Sequence, residues 1–167
     1  MTLALGIDPG SRITGYGLVA REGSRLTFLA AGCIKTTAKA PLAQRLGQVY
    51  DGLTDVIGSF APEVAAVEDI FYAKNVRTAA VLGHVRGVAL LAAAMAGLEV
   101  FEYPPASTKM AVAGYGRADK DQVALMVRQI LGIRRPLPPD ASDALAVAIC
   151  HLNQTESLKG MTRKGTK

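Results

Sequence analysis

The feature that most limits how this chain can fold is an acid placed at the end of a strand. Residues 3–7 form an apolar run of strand length, Asp8 closes it, Pro9 and Gly10 supply a turn, and a second β-type run returns over 16–20. The Asp8 carboxylate is therefore expected at a strand's C-terminal end, where open α/β sheets place their chemistry. Asp-Pro-Gly is also favourable turn chemistry, so Asp8 taken alone is equally well explained as a turn residue. What separates the two readings is how many other acids join it.

The rest of the chain predicts one domain and a mixed sheet. β-type runs over 3–8, 15–21 and 26–35 are joined by short turns, which makes an antiparallel meander. Pro41 then opens a helical pattern whose apolar residues Leu42, Leu46, Val49, Leu53, Ile57 and Phe60 share one face. Pro62 ends it, 64–68 reads as a fourth strand, and a long helix over about 75–96 leads to a fifth strand over 98–103. Strand, helix and strand in succession imply a parallel crossover. A short helix over 107–113 follows. Asp119 with Gln122 then makes a capping box for a helix over 120–131 that Gly132 terminates, and a final helix begins near Asp140. The expected architecture is α/β: a three-strand antiparallel meander plus two parallel strands, flanked by helices.

Composition narrows the class. With 167 residues, half of them apolar, the chain can bury a core without disulfides or a structural metal. Cys33 and Cys150 form no CxxC pair and read as reduced core thiols of a cytoplasmic protein, and His84 and His151 are too isolated to suggest a ligand set. No signal-type segment opens the sequence. The apolar run 87–98 is too short for a membrane span and is expected to be a buried helix, so no membrane partner is expected. The net charge is +5. Three of those five charges fall in 155–167, where Lys159, Arg163, Lys164 and Lys167 stand against Glu156, so the chain divides into a body over 1–154 and a basic, flexible tail over 155–167. A mildly basic body with such a tail suits a nucleic-acid partner and also many ordinary soluble enzymes.

Three further acids fall where the fold would gather them. If the fourth strand pairs parallel to the first, Glu68 ends beside Asp8. Asp140 and Asp143 stand three apart in the first turn of the last helix and face one way. First-turn acids also complement the helix dipole, and Glu68 alone suits a solvated strand end. Together the four are harder to explain structurally. Carboxylates about 4 Å apart repel by about 1 kcal/mol in water and about 4 kcal/mol at intermediate dielectric. A divalent cation removes that cost, and oxygen-only ligation selects Mg²⁺ or Mn²⁺.

The segments GIDPGSRITGYG (6–17), VEDIFYAKN (67–75), GYGRADKDQVALMV (114–127) and PPDASDALAVAI (138–149), in this order, resemble the RuvC family of bacterial Holliday junction resolvases. GIDPG by itself also occurs in other ribonuclease H-like and actin-like proteins; the F-x-A-K-N segment and the paired acids make the resemblance specific. It implies a ribonuclease H-like fold, a homodimer, four-way junction DNA as substrate and the branch-migration proteins RuvA and RuvB as partners. It implies paired symmetric nicks leaving 5′-phosphate and 3′-hydroxyl ends, with Asp8, Glu68, Asp140 and Asp143 as catalytic acids holding two Mg²⁺ ions, for which Mn²⁺ substitutes. It also implies DNA contacts by Phe71, Lys109 and Lys120. In the loop after Glu68, Phe71 and Tyr72 beside Lys74 and Asn75 offer either core packing or stacking on unpaired bases. Ala79, Gly83 and Gly87 put small residues on one stripe of the long helix. Such a stripe more often packs on its own sheet, and the resemblance to a dimeric family favours a partner instead. Two rival classes are an actin-like ATP-binding protein, which needs a second domain for which this chain lacks room, and a non-enzymatic junction-binding module.

Overall fold

The computed structural model describes residues 1–69 and 75–164, with side chains through 156. β1 (Thr2–Asp8), β2 (Ile13–Glu22) and β3 (Arg25–Lys35) form the expected meander. The crossover helix α1 (Leu42–Phe60) leads to β4 (Val64–Glu68), which pairs parallel to β1, and α2 (Val76–Met95) leads to β5 (Glu99–Tyr103), parallel to β4. The sheet order is β3-β2-β1-β4-β5. Then come α3 (Pro105–Ala113), α4 (Lys120–Leu131) and α5 (Pro139–Lys164). Helix α3 starts two residues before the expected position because Pro105 fits the first helical turn, where its missing N–H is no loss.

Strand alternation divides β1 between two cores. Leu3, Leu5 and Ile7 pack with Val49, Leu53 and Ile57 of α1 and Val85 and Ala89 of α2. Ala4, Gly6 and Asp8 face the other way, toward α5, which is covered in turn by α3 and α4. Helix α5 is therefore enclosed: Ala144 to Cys150 are all fully buried, which explains a sequence that is apolar all round instead of on one stripe.

Small residues on the sheet let this helix come close. A Cβ at Gly6 would sit 1.9 Å from the Ala144 carbonyl oxygen, and one at Gly15 would sit 2.0 Å from the Asp140 carbonyl oxygen. Glycine at these two positions thus sets the depth at which α5, and the acids on it, lie against β1 and β2.

Two expectations change, for the 87–98 segment and for Cys33. The 87–98 segment is not a buried helix. Only Val85, Ala89, Ala92 and Ala93 of α2 are buried, while Leu91 and Met95 are 53% and 71% exposed. The helix also continues back to Val76, so its 20 residues have the length and apolarity to cross a membrane, yet its inner stripe packs on the sheet and α1. The Ala79, Gly83 and Gly87 stripe points outward, with open space around a Cβ built at either glycine, so it does not pack on the sheet. Cys33 is only half-buried, unlike Cys150; both are free thiols. Helix α5 runs on to Lys164.

Candidate active site

Each of the four acids is placed by an element whose reason for being there is local. Asp8 ends β1 opposite Gly15 of β2. The turn after it is held by Thr14, which is fully buried: its Oγ1 donates to the Gly10 carbonyl at 3.0 Å and accepts from the Gly10 N–H at 3.4 Å. Glu68 ends β4, one step beyond the Ile7–Val67 pair, on the same face of the sheet as Asp8. Asp140 and Asp143 occupy the start of α5, lowered onto that face by Gly6 and Gly15.

Burial and mutual repulsion then act on the cluster. Asp8 is pushed up to about 8, first by desolvation and then by the charges of Glu68, Asp143 and Asp140. Glu68 is also raised, by desolvation and then by Asp143. Asp8 and Glu68, side by side at the ends of β1 and β4, thus each resist ionisation, chiefly through burial.

Lysines stand beside the acids, although none lies next to them in sequence. Lys120 begins α4, where Asp119 and Gln122 form the expected capping box: the Gln122 N–H donates to Asp119 Oδ1 at 2.8 Å and the Asp119 N–H to Gln122 Oε1 at 3.2 Å. Lys120 Nζ lies 3.1 Å from Asp143 Oδ2, and this bond together with the carboxylate charge raises the lysine. Lys109 of α3 lines the same cleft, about 180 Å³, with Glu68, Thr108, Lys120 and Asp143. That is below the roughly 300–1,000 Å³ of sites that enclose small molecules. An open cleft lined by two carboxylates and two ammonium groups suits a polymer's phosphodiester.

Of the expected DNA contacts, Lys109 and Lys120 join the acids. Asn75 instead caps α2, its Oδ1 accepting from the Thr78 N–H at 2.9 Å. Phe71, Tyr72 and Lys74 lie outside the described residues. Among the described residues no three acidic, histidine or cysteine side chains are drawn together as a bound ion would hold them. The donor set nevertheless fits a hard divalent cation, since it is all oxygen, half-buried and crowded by like charge.

Two supports escaped the sequence. Arg86 of α2 forms ion pairs with Asp69, at 3.2 Å, and with Glu102, tying the residue after Glu68 to β5. Tyr103, paired with Glu68 in the sheet, shares a 2.9 Å hydrogen bond with His151 of α5; His151 also lies against Phe101, with ring centroids 4.6 Å apart. Tyr and His at such separation carry no short-range signal.

The sheet order, with acids on the adjacent ends of β1 and β4 and at the start of a helix crossing them, defines a ribonuclease H-like α/β protein. The chain belongs to the family described as crossover junction endodeoxyribonuclease RuvC, whose model matches residues 4–151. It is 56% identical over 147 residues to the RuvC of Syntrophotalea carbinolica, covering 88% of this chain and 91% of that protein. It is 47% identical over 167 residues to that of Marinobacter nauticus, covering 100% and 95%. Among solved structures, T. thermophilus RuvC in complex with Holliday junction substrate superposes with a TM-score of 0.87 at 37% identity, over 93% of this chain and 95% of that one. The yeast mitochondrial resolvase Ydc2 shares the fold, with a TM-score of 0.69 at 17% identity over 94% and 80%.

Proposed function

We propose that this protein is a structure-selective endonuclease that resolves four-way DNA junctions by paired, symmetric nicks leaving 5′-phosphate and 3′-hydroxyl ends, in recombination and repair. The observation that carries this reading is the approach of Glu68, Asp140 and Asp143 to Asp8, beside a cleft that Glu68, Asp143, Lys109 and Lys120 line. Membership of the RuvC family supports it, as does the likeness to a relative solved with junction substrate.

The four acids would hold two Mg²⁺ ions, or Mn²⁺ in their place, which when bound supply a water made nucleophilic at neutral pH and stabilise the leaving oxyanion. The protein's own groups do the rest. Asp8 and Glu68, neighbours at the ends of β1 and β4, would supply oxygen ligands from the sheet, and Asp140 and Asp143 from the start of α5. Lys120, paired with Asp143, is positioned to exchange that carboxylate for a phosphate oxygen of the scissile strand, and Lys109, lining the same cleft, is the second cation to hold it. Phe71, Tyr72 and Lys74, next in sequence to the β4 end, are assigned to the junction's unpaired bases, with Phe71 stacking on one of them.

Two symmetric nicks need two sites, hence a homodimer whose two-fold axis matches that of the junction. The outward Ala79, Gly83 and Gly87 stripe of α2, flanked by exposed Leu91 and Met95, is the face proposed for the partner subunit. RuvA and RuvB would deliver the junction in the cytoplasm. Residues 1–154 are proposed as the catalytic body and 155–167 as its basic C-terminal tail.

A non-enzymatic junction-binding module is the competing reading. Incubating the purified protein with a synthetic four-way junction and a matched duplex, with and without Mg²⁺, separates the two. Junction-selective, metal-dependent nicking is expected; tight binding without nicking in Mg²⁺ or Mn²⁺ would leave only the module.

A further inference from the structure

We propose that a groove at the end of the sheet remote from the four acids docks an extended acidic peptide of a partner protein, one that alternates aspartate or glutamate with apolar side chains. The groove, about 490 Å³, runs between the first residues of β3 and the connection from α4 to α5, and is lined by Arg25, Leu26, Phe28, Ile133, Arg134 and Arg135 among others. Its floor and rim differ in chemistry. Leu26, Phe28 and Ile133 are half-buried against the core beneath α4 and α5, whereas Arg25, Arg134 and Arg135 are exposed.

Among the described residues no carboxylate lines the groove. Among the described residues the ion pairs are made by Arg86 and Lys120, and none by these arginines. A fourth guanidinium, Arg128, braces the rim: its Nη2 donates to the Arg134 carbonyl at 3.3 Å, while its buried Nε has no partner. Several cations held together without an acid repel one another, and carboxylates that enter relieve the repulsion through paired N–H donors.

The strand supplies a second recognition element. β3 is the outer strand of the sheet, bonded only to β2, so its free edge offers backbone donors and acceptors to an added chain. An extended peptide places alternate side chains on opposite sides, one set on an apolar floor and the other on a cationic rim. Duplex DNA would satisfy the rim but leave the apolar floor and the strand edge unused, so the peptide fits better.

Arg25 lies eight residues before Cys33, which pairs with Gly15 beside the acids, so the groove is about 25 Å along β3 from the catalytic cleft. An occupant there leaves the cleft open, and this proposal stands apart from the catalytic reading.

The test uses fluorescence anisotropy with a labelled peptide alternating Asp with Ile and Phe, the same peptide with Lys in place of Asp, and a labelled short duplex. Saturable binding of the acidic peptide but not of its lysine counterpart is expected, weakened at least tenfold by Arg134→Glu and by Arg25→Glu, with duplex affinity and junction nicking of both variants near those of the parent. The two substitutions lie on separate elements, and circular dichroism confirms that each variant is folded. Absence of saturable binding by the acidic peptide, or equal binding by parent and variants, would overturn the proposal. So would a loss of duplex affinity in the variants with peptide affinity unchanged, which would assign the groove to a DNA arm.

Discussion

Lys120, the first residue of α4, reaches across 23 residues of sequence to place its ammonium 3.1 Å from the Asp143 carboxylate. The lysine is largely exposed and the aspartate largely covered, so the pair contributes less to stability than to the state of the cleft. It sets a cation against one of four crowded acids, where a phosphate must arrive.

Lys120→Ala should therefore lower the nicking rate by at least tenfold, while changing stability in Mg²⁺ by no more than about 1 kcal/mol. Single-turnover nicking and urea midpoints on the same preparation decide this. A rate near that of the parent would leave the lysine as a surface ion pair only.

Asp8→Asn should abolish nicking and retain junction binding, read by a nicking assay and a gel shift. It should also change the pH dependence of stability. The Asp8 acid is raised from 3.8 to about 8 by folding, so the stability it contributes as the protonated acid is fully present below about pH 4 and is lost as pH rises through about 8. In chelator the thermal midpoint should fall over that window, less steeply in Asp8→Asn and less steeply again when Mg²⁺ is added. Asp143 is the poorer choice for this measurement, because neutralising it relieves repulsion but also deprives Lys120 of its partner.

Gly15→Ala should cost about 1 to 3 kcal/mol or more, since its methyl would overlap the Asp140 carbonyl and lift the start of α5. Gly47→Ala, on α1 with open space around it, is the matched control and should not destabilise. Urea midpoints compare the two, and the activity of any folded Gly15→Ala protein shows how far displacing Asp140 impairs the chemistry.

Tyr103→Phe removes the hydroxyl that partners His151 and leaves a buried ring nitrogen unsatisfied, at an expected cost of about 1 to 3 kcal/mol. Burial holds His151 below its ordinary value, so the neutral ring stabilises the fold above about pH 6.5 and that stability is lost as pH falls through the lowered value. Chemical unfolding near pH 8 and near pH 5 reads both effects; an unchanged midpoint would make the pair incidental.

Phe71→Ala should leave the urea midpoint nearly unchanged and strongly reduce junction nicking, if the ring stacks on a base for about 1 to 3 kcal/mol. Phe71→Leu keeps apolar bulk without a flat face and should fall between. A midpoint drop of about 3 to 5 kcal/mol in the alanine variant would place the ring in the core instead.

What could be read from the sequence follows from how local the causes are. The meander came from short turns and alternation, and the parallel crossover from one helix between two strands, so the adjacency of Asp8 and Glu68 was legible once β4 was aligned with β1. The capping box at Asp119 is a four-residue pattern and was equally plain. Lys120 reaching Asp143, or Tyr103 reaching His151, depends on where two distant elements come to rest, which no spacing encodes. The apolar 87–98 segment misled because hydrophobicity marks a surface that must be covered without saying whether the chain or a partner covers it. Gly6 and Gly15 were visible as glycines, but the helix they admit lies more than a hundred residues away.

The enclosure of α5 has a kinetic consequence. A surface helix frays at its ends while the molecule around it stays folded, but the residues that carry Asp140 and Asp143 toward Ile149 are wrapped by sheet on one side and helices on the other. Their amides have no local route to solvent, so hydrogen exchange from Ala144 to Ile149 should require opening of the whole domain. Half of the acidic cluster then hangs on the slowest-exchanging segment of the protein, and the spacing of the four carboxylates persists for as long as the fold does.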